Sequence, residues 1–420
     1  MKFFTLPLSL LILILTTNCV SNRVSEINLA SISIVDANGT SEIISNEERL
    51  RQYQDVNFLV SQPYKKVLRV FKRDISGSIT ATITTYHANG ELKQYLDVVN
   101  GRASGEYGVW HENGVRKIQA EVIGGTGDLY EGVENSWIFD GSTYAFSDEG
   151  ILEAEIPYVK GKREGLALYY HKNSTIWKQI PLHNDLIEGC SISYYDDGSL
   201  FEKFIYVKGK KDGPAERRWK GGAEAAIELY DNDHLITGDY FSPIGEPVSQ
   251  VIHGNGFRAI FSQDSVHELQ QYRHGVQEGL IQVFGKKGVL SRTYGMKESL
   301  KHGEEIEFNP YTGLPTLSIT WFKDKVQGLA KSWYSNGQLE SQREMADNKR
   351  TGLLSAWYTD GSLMLLENYE QDLLTKGEYF KRGDLFPVSS VFNGEGIATL
   401  FDSNGVFVRK INYHYGKPEE

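Results

Sequence analysis

From residue 65 onward the chain alternates apolar and polar residues in short runs that end in turn residues. Leu166-x-Leu168-x-Tyr170, Cys190-x-Ile192-x-Tyr194, Leu280-x-Gln282-x-Phe284 and Ile397-x-Thr399-x-Phe401 keep mostly apolar residues at every second position. A period of two belongs to a strand with one face on a core and the other in water. The runs stop at Asn89-Gly90, Asn113-Gly114, Glu149-Gly150, Asp197-Gly198, Lys287-Gly288, Asn336-Gly337, Asp360-Gly361 and Asn404-Gly405, and several of these glycines lie 24 residues, or a multiple of 24, apart. Four residues before them stand Tyr86, Trp110, Phe146, Tyr194, Phe284, Trp333, Trp357 and Phe401. Eight residues after a turn glycine there is often a second aromatic, as at Tyr158, Tyr206, Trp321, Tyr369 and Tyr413. A Gly, Asn or Asp follows at eleven residues and a Gly at fifteen. Two turn signals per unit leave two strands of about seven to nine residues, which is a β-hairpin. The fold class expected is all-β: an elongated array of antiparallel β-hairpin repeats of about 24 residues each, forming a twisted meander sheet. The alternation assigns Leu166, Leu168, Tyr170 and their counterparts to the core, with the aromatics of neighbouring repeats paired across strands.

A longer period is superimposed. Residues 189–222 match 328–361 turn for turn at an offset of 139. Gly238-Asp239-Tyr240-Phe241 returns as Gly377-Glu378-Tyr379-Phe380, and His253-Gly254-Asn255-Gly256-Phe257 as Asn393-Gly394-Glu395-Gly396-Ile397. A block of several hairpins has been duplicated. Ahead of the array, Ser31 to Ile44 reads as a hairpin turned at Asn38-Gly39. Ser45 to Gln54, with a capping residue and acidic Glu47 and Glu48, reads as a short helix. Residues 19–64 thus form a small N-terminal cap and residues 65–417 the array, whose first edge needs covering.

The first residues read as a targeting segment. Lys2 precedes the apolar run Leu6 to Leu15. A bilayer span takes about 20 residues, so residues 1–18 are expected to be a signal peptide. Thr16-Thr17-Asn18-Cys19 resembles a bacterial lipobox, although Thr16 and Asn18 depart from its usual residues. The resemblance implies lipidation of Cys19, with palmitate among the acyl chains, and attachment to a membrane through that anchor. A simple secretory signal cut near Cys19 is the alternative. Val20 rather than Asp after the cysteine favours the outer membrane over the inner within the cell envelope.

Composition narrows the function. The net charge is −11, and −12 once residues 1–18 are removed, which argues against nucleic-acid partners because phosphate contacts need a basic surface. Two cysteines exclude a disulfide-rich scaffold and a zinc site built mainly of Cys. The ten histidines have no metal-ligand spacing. His87, His111 and His171 each follow the turn aromatic, which suggests exposed hairpin positions. Cys190 takes the slot held by Leu166, Leu280, Leu329 and Leu353 in other copies and reads as buried apolar filler. Gly254-x-Gly256 and Gly394-x-Gly396 open strands, whereas a phosphate loop opens a helix. There is no Gly-x-Ser-x-Gly elbow, and the acidic residues are too spread to name a carboxylate pair. No catalytic, metal or cofactor-binding residue is expected, and the partner-binding residues stay unassigned.

The unit aromatic-x-x-Asn/Asp-Gly-x-Leu followed by Tyr-x-x-Gly-Lys-x-x-Gly is clearest at Tyr195-Asp196-Asp197-Gly198-Ser199-Leu200 with Tyr206-Val207-Lys208-Gly209-Lys210-Lys211-Asp212-Gly213. Tyr158-Val159-Lys160-Gly161-Lys162-Arg163-Glu164-Gly165 repeats its second half. It resembles the MORN repeat variant of bacterial proteins, including the YwqK-type family labelled as antitoxins, over about residues 65–417. The segment from Ile123 to Phe146 departs from it by stretching one spacing to 36 residues. The resemblance implies a non-catalytic envelope lipoprotein whose array is a scaffold for a protein or cell-surface partner. The alternatives are a glycan-acting or glycan-binding envelope protein, or the antitoxin of a toxin–antitoxin pair.

Overall fold

The computed structural model describes residues 28–61, 65–73 and 77–419. The expected signal peptide and Cys19 lie outside the described residues. The chain forms an all-β meander, a 36-stranded sheet in which strands pair antiparallel with their neighbours in the chain. The N-terminal hairpin joins Asn28–Asp36 to Ser41–Ile44, and its first strand also pairs with Lys65–Arg73 at the array's edge. The helix runs Glu47–Arg51, shorter than the segment expected, and its cap is Asn46, whose side chain accepts from the Glu48 and Arg49 N–H groups. Leu50 packs with Ile32, Ile44, Leu68 and Tyr86.

Two kinds of turn alternate. At the Asn-Gly and Asp-Gly pairs, a longer turn closes on a positive-φ glycine. There the Gly198 N–H donates to Tyr195 O at 3.0 Å and the Tyr195 N–H to Ser199 O at 2.9 Å. The other turns have two central residues, both at positive φ, as at Asn184 (49°) and Asp185 (69°) or Asp347 (49°) and Asn348 (67°). This is the mirror-image turn that matches the twist of a hairpin. It explains the Asn, Asp or Gly eleven residues after the turn glycines, since those residues tolerate the left-handed region. Their carboxylates and amides also accept the N–H of a residue in the preceding repeat: Arg163 to Asp185 at 2.9 Å, Val326 to Asn348 at 2.8 Å, Arg350 to Asp372 at 2.9 Å.

The face assignment is the main correction. Leu166, Leu280, Leu353 and Ile397, expected in the core, are exposed, and Leu168 and Ile192 are half-buried. The buried parity is the opposite one: Ala167, Ser191, Ser193, Ala215, Ile281, Val283, Ala330 and Ala356. At these positions the leucines lie on the exposed parity and mostly small residues on the buried one, so hydrophobicity along the strand does not mark its buried face. Register shifts fall between Tyr169 and Tyr170, Ser193 and Tyr194, Ser332 and Trp333, and Ala356 and Trp357, and in each case the extra residue (Trp177, Phe201, Glu340 or Met364) lies on the strand after the turn. Tyr86 is buried, but Trp110, Tyr170, Tyr194, Trp333 and Trp357 are only half-buried. Among the second aromatics Tyr369 is buried, as is Tyr230, eight residues after Gly222, whereas Tyr158, Tyr206, Trp321 and Tyr413 are half-buried.

The chain divides into two compact units, residues up to Leu152 with Tyr158–Gly161, and Glu153–Pro157 with Lys162 onward. In the first unit, Ile83, Leu96, Val98, Tyr107, Ala120 and Val122 form a sheet face. The insertion between Ile123 and Phe146 folds onto that face and plugs it with Leu129, Val133 and Trp137. In the second unit, one core gathers Ala215, Trp219, Tyr230, Tyr240 and Phe261, and another Tyr369, Leu374, Tyr379 and Val391.

Candidate functional site

The histidines singled out by position are not free surface groups. His87 Nε2 lies 2.9 Å from Trp110 O, His111 Nε2 3.0 Å from Phe146 O, and His171 Nε2 3.0 Å from Tyr194 O. Each ring is half-buried and is tied to the carbonyl of the aromatic in the next repeat. Other copies use a different donor in the same slot. Tyr195 Oη donates to Arg218 O at 2.8 Å, Trp219 Nε1 to Phe241 O at 3.2 Å, Tyr334 Oη to Trp357 O at 2.8 Å and Tyr358 Oη to Phe380 O at 2.7 Å. What the slot requires is a ring long enough to reach one repeat further with a polar hydrogen at its tip. These residues form a ladder that fixes the spacing of repeats.

The buried face holds carboxylates that the sequence did not reveal. Glu228 is 5% exposed. It accepts from Tyr230 Oη at 2.9 Å, Tyr240 Oη at 2.8 Å and Arg258 Nε at 2.7 Å. Burial pushes its pKa up, but the Arg258 charge and the hydrogen bonds from Arg258, Tyr240 and Tyr230 outweigh this and hold it below the ordinary carboxylate value. Burial and then the Glu228 charge push the Tyr230 and Tyr240 hydroxyls well up, so both remain donors. Glu367 repeats the arrangement at the offset of 139, accepting from Tyr369 Oη at 3.0 Å and Tyr379 Oη at 2.7 Å. A third, Glu305, accepts from Trp321 Nε1 and Lys301 Nζ, each at 2.7 Å. All side-chain donors are fixed by the fold, and each carboxylate is occupied internally. They are structural nodes of the buried face.

A sequence signal for two of them exists. Glu228 stands directly opposite Gly238, and Glu367 opposite Gly377. Tyr240 and Tyr379 fold back across those glycines, so that a Cβ at Gly238 would lie 2.4 Å from Tyr240 Oη, and one at Gly377 2.7 Å from Tyr379 Oη. Glu-x-Tyr followed by Gly-x-Tyr, twice at one offset, encodes the node. The two Gly-x-Gly pairs have a similar explanation. The Gly254 N–H donates to Ile236 O at 2.8 Å and the Gly275 N–H to Gly254 O at 3.0 Å. A Cβ on Gly254 would lie 2.4 Å from Gly275 N, and one on Gly394 2.5 Å from Gly416 N. Backbone meets backbone there, which leaves no room for side chains.

The outer face of the second unit presents something different. Leu166 stands opposite Pro181, Cys190 opposite Ile205 and Pro214 opposite Leu229, and with Pro157 these residues form a row along the same face of neighbouring strands. Leu166 is 48% exposed and Leu229 41% exposed, and Pro214 is also exposed. Cys190, expected as buried filler, is half-buried in the middle of this row. The row is apolar from end to end and is flanked by charged positions such as Glu155, Lys203 and Glu216. A contiguous apolar row of this kind on a folded surface marks a contact site more often than isolated leucines do.

Among the described residues, no group of three or more His, Cys, Asp or Glu could hold a metal ion. No described helix is long and apolar enough to cross a membrane. Residues 326–347 match the MORN repeat variant family. No curated protein matches the chain. The matched stretch covers nearly all of the strand Lys325–Trp333, its Asn336-Gly337 turn and the strand Leu339–Ala346. One hairpin of the array is therefore similar to a MORN repeat variant.

Proposed function

We propose that the protein is a non-catalytic envelope lipoprotein of the YwqK type, anchored through lipid on Cys19, whose repeat array is a scaffold for a partner protein. The observation that carries this reading is the apolar row from Pro157 to Leu229 on the outer sheet face. The repeat match supports a scaffold, because repeat arrays offer extended surfaces built from near-identical units. Supporting it further, the buried polar groups at Glu228, Glu305 and Glu367 are spent on the fold and leave no poised acid or base there. The apolar leader and Thr16-Thr17-Asn18-Cys19 support the anchor, and Val20 after the cysteine supports the outer membrane. A photo-crosslinking residue at Leu166 in the native cell should capture one protein, and Leu166→Asp with Leu229→Asp should abolish its co-purification without changing the circular dichroism. Co-purification undiminished in that double variant would refute the assigned face. Cys19→Ala should release the chain from the membrane fraction; continued sedimentation with membranes would refute the anchor.

A further inference from the structure

The insertion of the first unit does more than plug a core. Between it and the sheet lies a cleft of about 640 Å³, a size typical of small-molecule sites. Its floor is the row Val67, Thr85 and Gln94, directly opposite one another on three neighbouring strands. Thr85 is buried, and its Oγ1 donates to Gln94 Oε1 at 3.0 Å, which fixes the amide. Among the described residues the Gln94 amide nitrogen has one long contact, 3.5 Å to Tyr107 Oη, which leaves it donor capacity for a guest. The wall is the segment from Leu129 to Glu134, and Tyr130, 60% exposed, lines the cleft there. Leu129 and Val133 on either side of that ring are buried. The segment is further pinned by Trp137 Nε1 donating to Thr126 O at 2.9 Å and by Arg69 paired with Asp128 at 2.6 Å. The aromatic ring is thus held open to solvent by a rigid support. Lys93, Glu131 and Glu134 complete the lining.

We propose that this cleft binds a saccharide of one or two rings. A free aromatic face stacks on the C–H face of a pyranose. The Glu131 and Glu134 carboxylates, with an amide and a hydroxyl held in place by the Thr85–Gln94 bond, suit the directional donors and acceptors of sugar hydroxyls. Two carboxylates against one ammonium disfavour phosphates and nucleotides. A wholly apolar ligand would cover the Gln94 amide nitrogen without giving it a new partner. An extended peptide has no strand edge to add to, since Lys65–Arg73 and Leu92–Val99 are each paired on both sides.

The test is saturation-transfer NMR on the full chain with cellobiose, maltose and N,N′-diacetylchitobiose as probes. At least one should receive saturation. Tyr130→Ala and Gln94→Leu should each weaken its affinity by about tenfold. Tyr311→Ala, which removes an exposed ring outside the cleft, should leave it unchanged. Absence of transfer to all three sugars at millimolar concentration overturns the proposal, as does binding that persists in the Tyr130→Ala, Gln94→Leu double variant. Neither result bears on the partner surface around Leu166, which Leu166→Asp tests separately.

Discussion

The two copies of the duplicated block solve one problem in two ways. In the first, Glu228 is held by Tyr230, Tyr240 and Arg258. In the second, Glu367 keeps the tyrosine pair, Tyr369 and Tyr379, but the place of Arg258 is taken by buried Ala398. The glycines that make room for the tyrosines, Gly238 and Gly377, are present in both. What the block needs is therefore a carboxylate that gathers two tyrosine hydroxyls across a hairpin. The ion pair is an addition in one copy, consistent with the general finding that buried ion pairs are weak contributors to net stability but costly to break.

The largest effect that separates the copies is expected from Arg258→Ala. It strands a buried carboxylate and should destabilise the region by about 3–5 kcal/mol, measured by denaturant unfolding. A loss below about 1 kcal/mol would mean that the two tyrosines suffice in both copies. Next, Tyr379→Phe should cost about 1–3 kcal/mol and more than Tyr240→Phe, because Glu367 has only two side-chain donors and Glu228 has a third. Equal costs would remove the distinction. Acidification sharpens the same contrast. The Glu228 pKa is held below its ordinary value, so its stabilisation is fully present above about pH 4.3 and is lost as pH falls through the depressed value. The gap in melting temperature between the parent and Glu228→Gln should shrink from pH 7 toward pH 3. A gap that stays constant would contradict a depressed pKa. The smallest effect belongs to the repeat-spacing ladder. Tyr195→Phe deletes one hydrogen bond, to Arg218 O, and should cost about 0.5–1.5 kcal/mol. Hydrogen exchange should show the change confined to neighbouring strands, since each repeat leans mainly on the next.

Much of this fold was legible in the sequence. The spacing of Asn-Gly and Asp-Gly pairs located the longer turns, the Asp185 and Asn348 type of position located the tight ones, and the offset of 139 exposed the duplication. Three things were not legible, each for a physical reason. The buried parity was misread because small residues such as Ala167 and Ser191 carry little hydrophobic signal of their own, while leucines such as Leu166 and Leu353 sit on the exposed parity. The Glu228 and Glu367 nodes were hidden because a carboxylate in a strand ordinarily marks the solvent face, and only its cross-strand neighbours reveal otherwise. The plug of Leu129, Val133 and Trp137 lies in the stretch that interrupts the repeat, where periodicity says nothing about what a side chain covers. The same insertion forms one wall of the cleft, so the candidate ligand site lay where the repeat pattern was silent. The row around Leu166 and Leu229 was misplaced by the same misreading of the buried parity.

The central claim is that strands such as Gly165–Tyr170 and Lys349–Trp357 bury a small-residue parity and leave Leu166 and Leu353 outside. Thiol labelling at two adjacent positions tests it most directly. In a Cys190→Ser background, Leu166→Cys should react with a maleimide at close to the rate of the unfolded chain. Ala167→Cys, one residue further on the opposite face, should react slower by a factor on the order of 100, because it must await local opening. Comparable rates at the two positions, or protection at 166 with ready labelling at 167, would show that the faces are assigned the wrong way round.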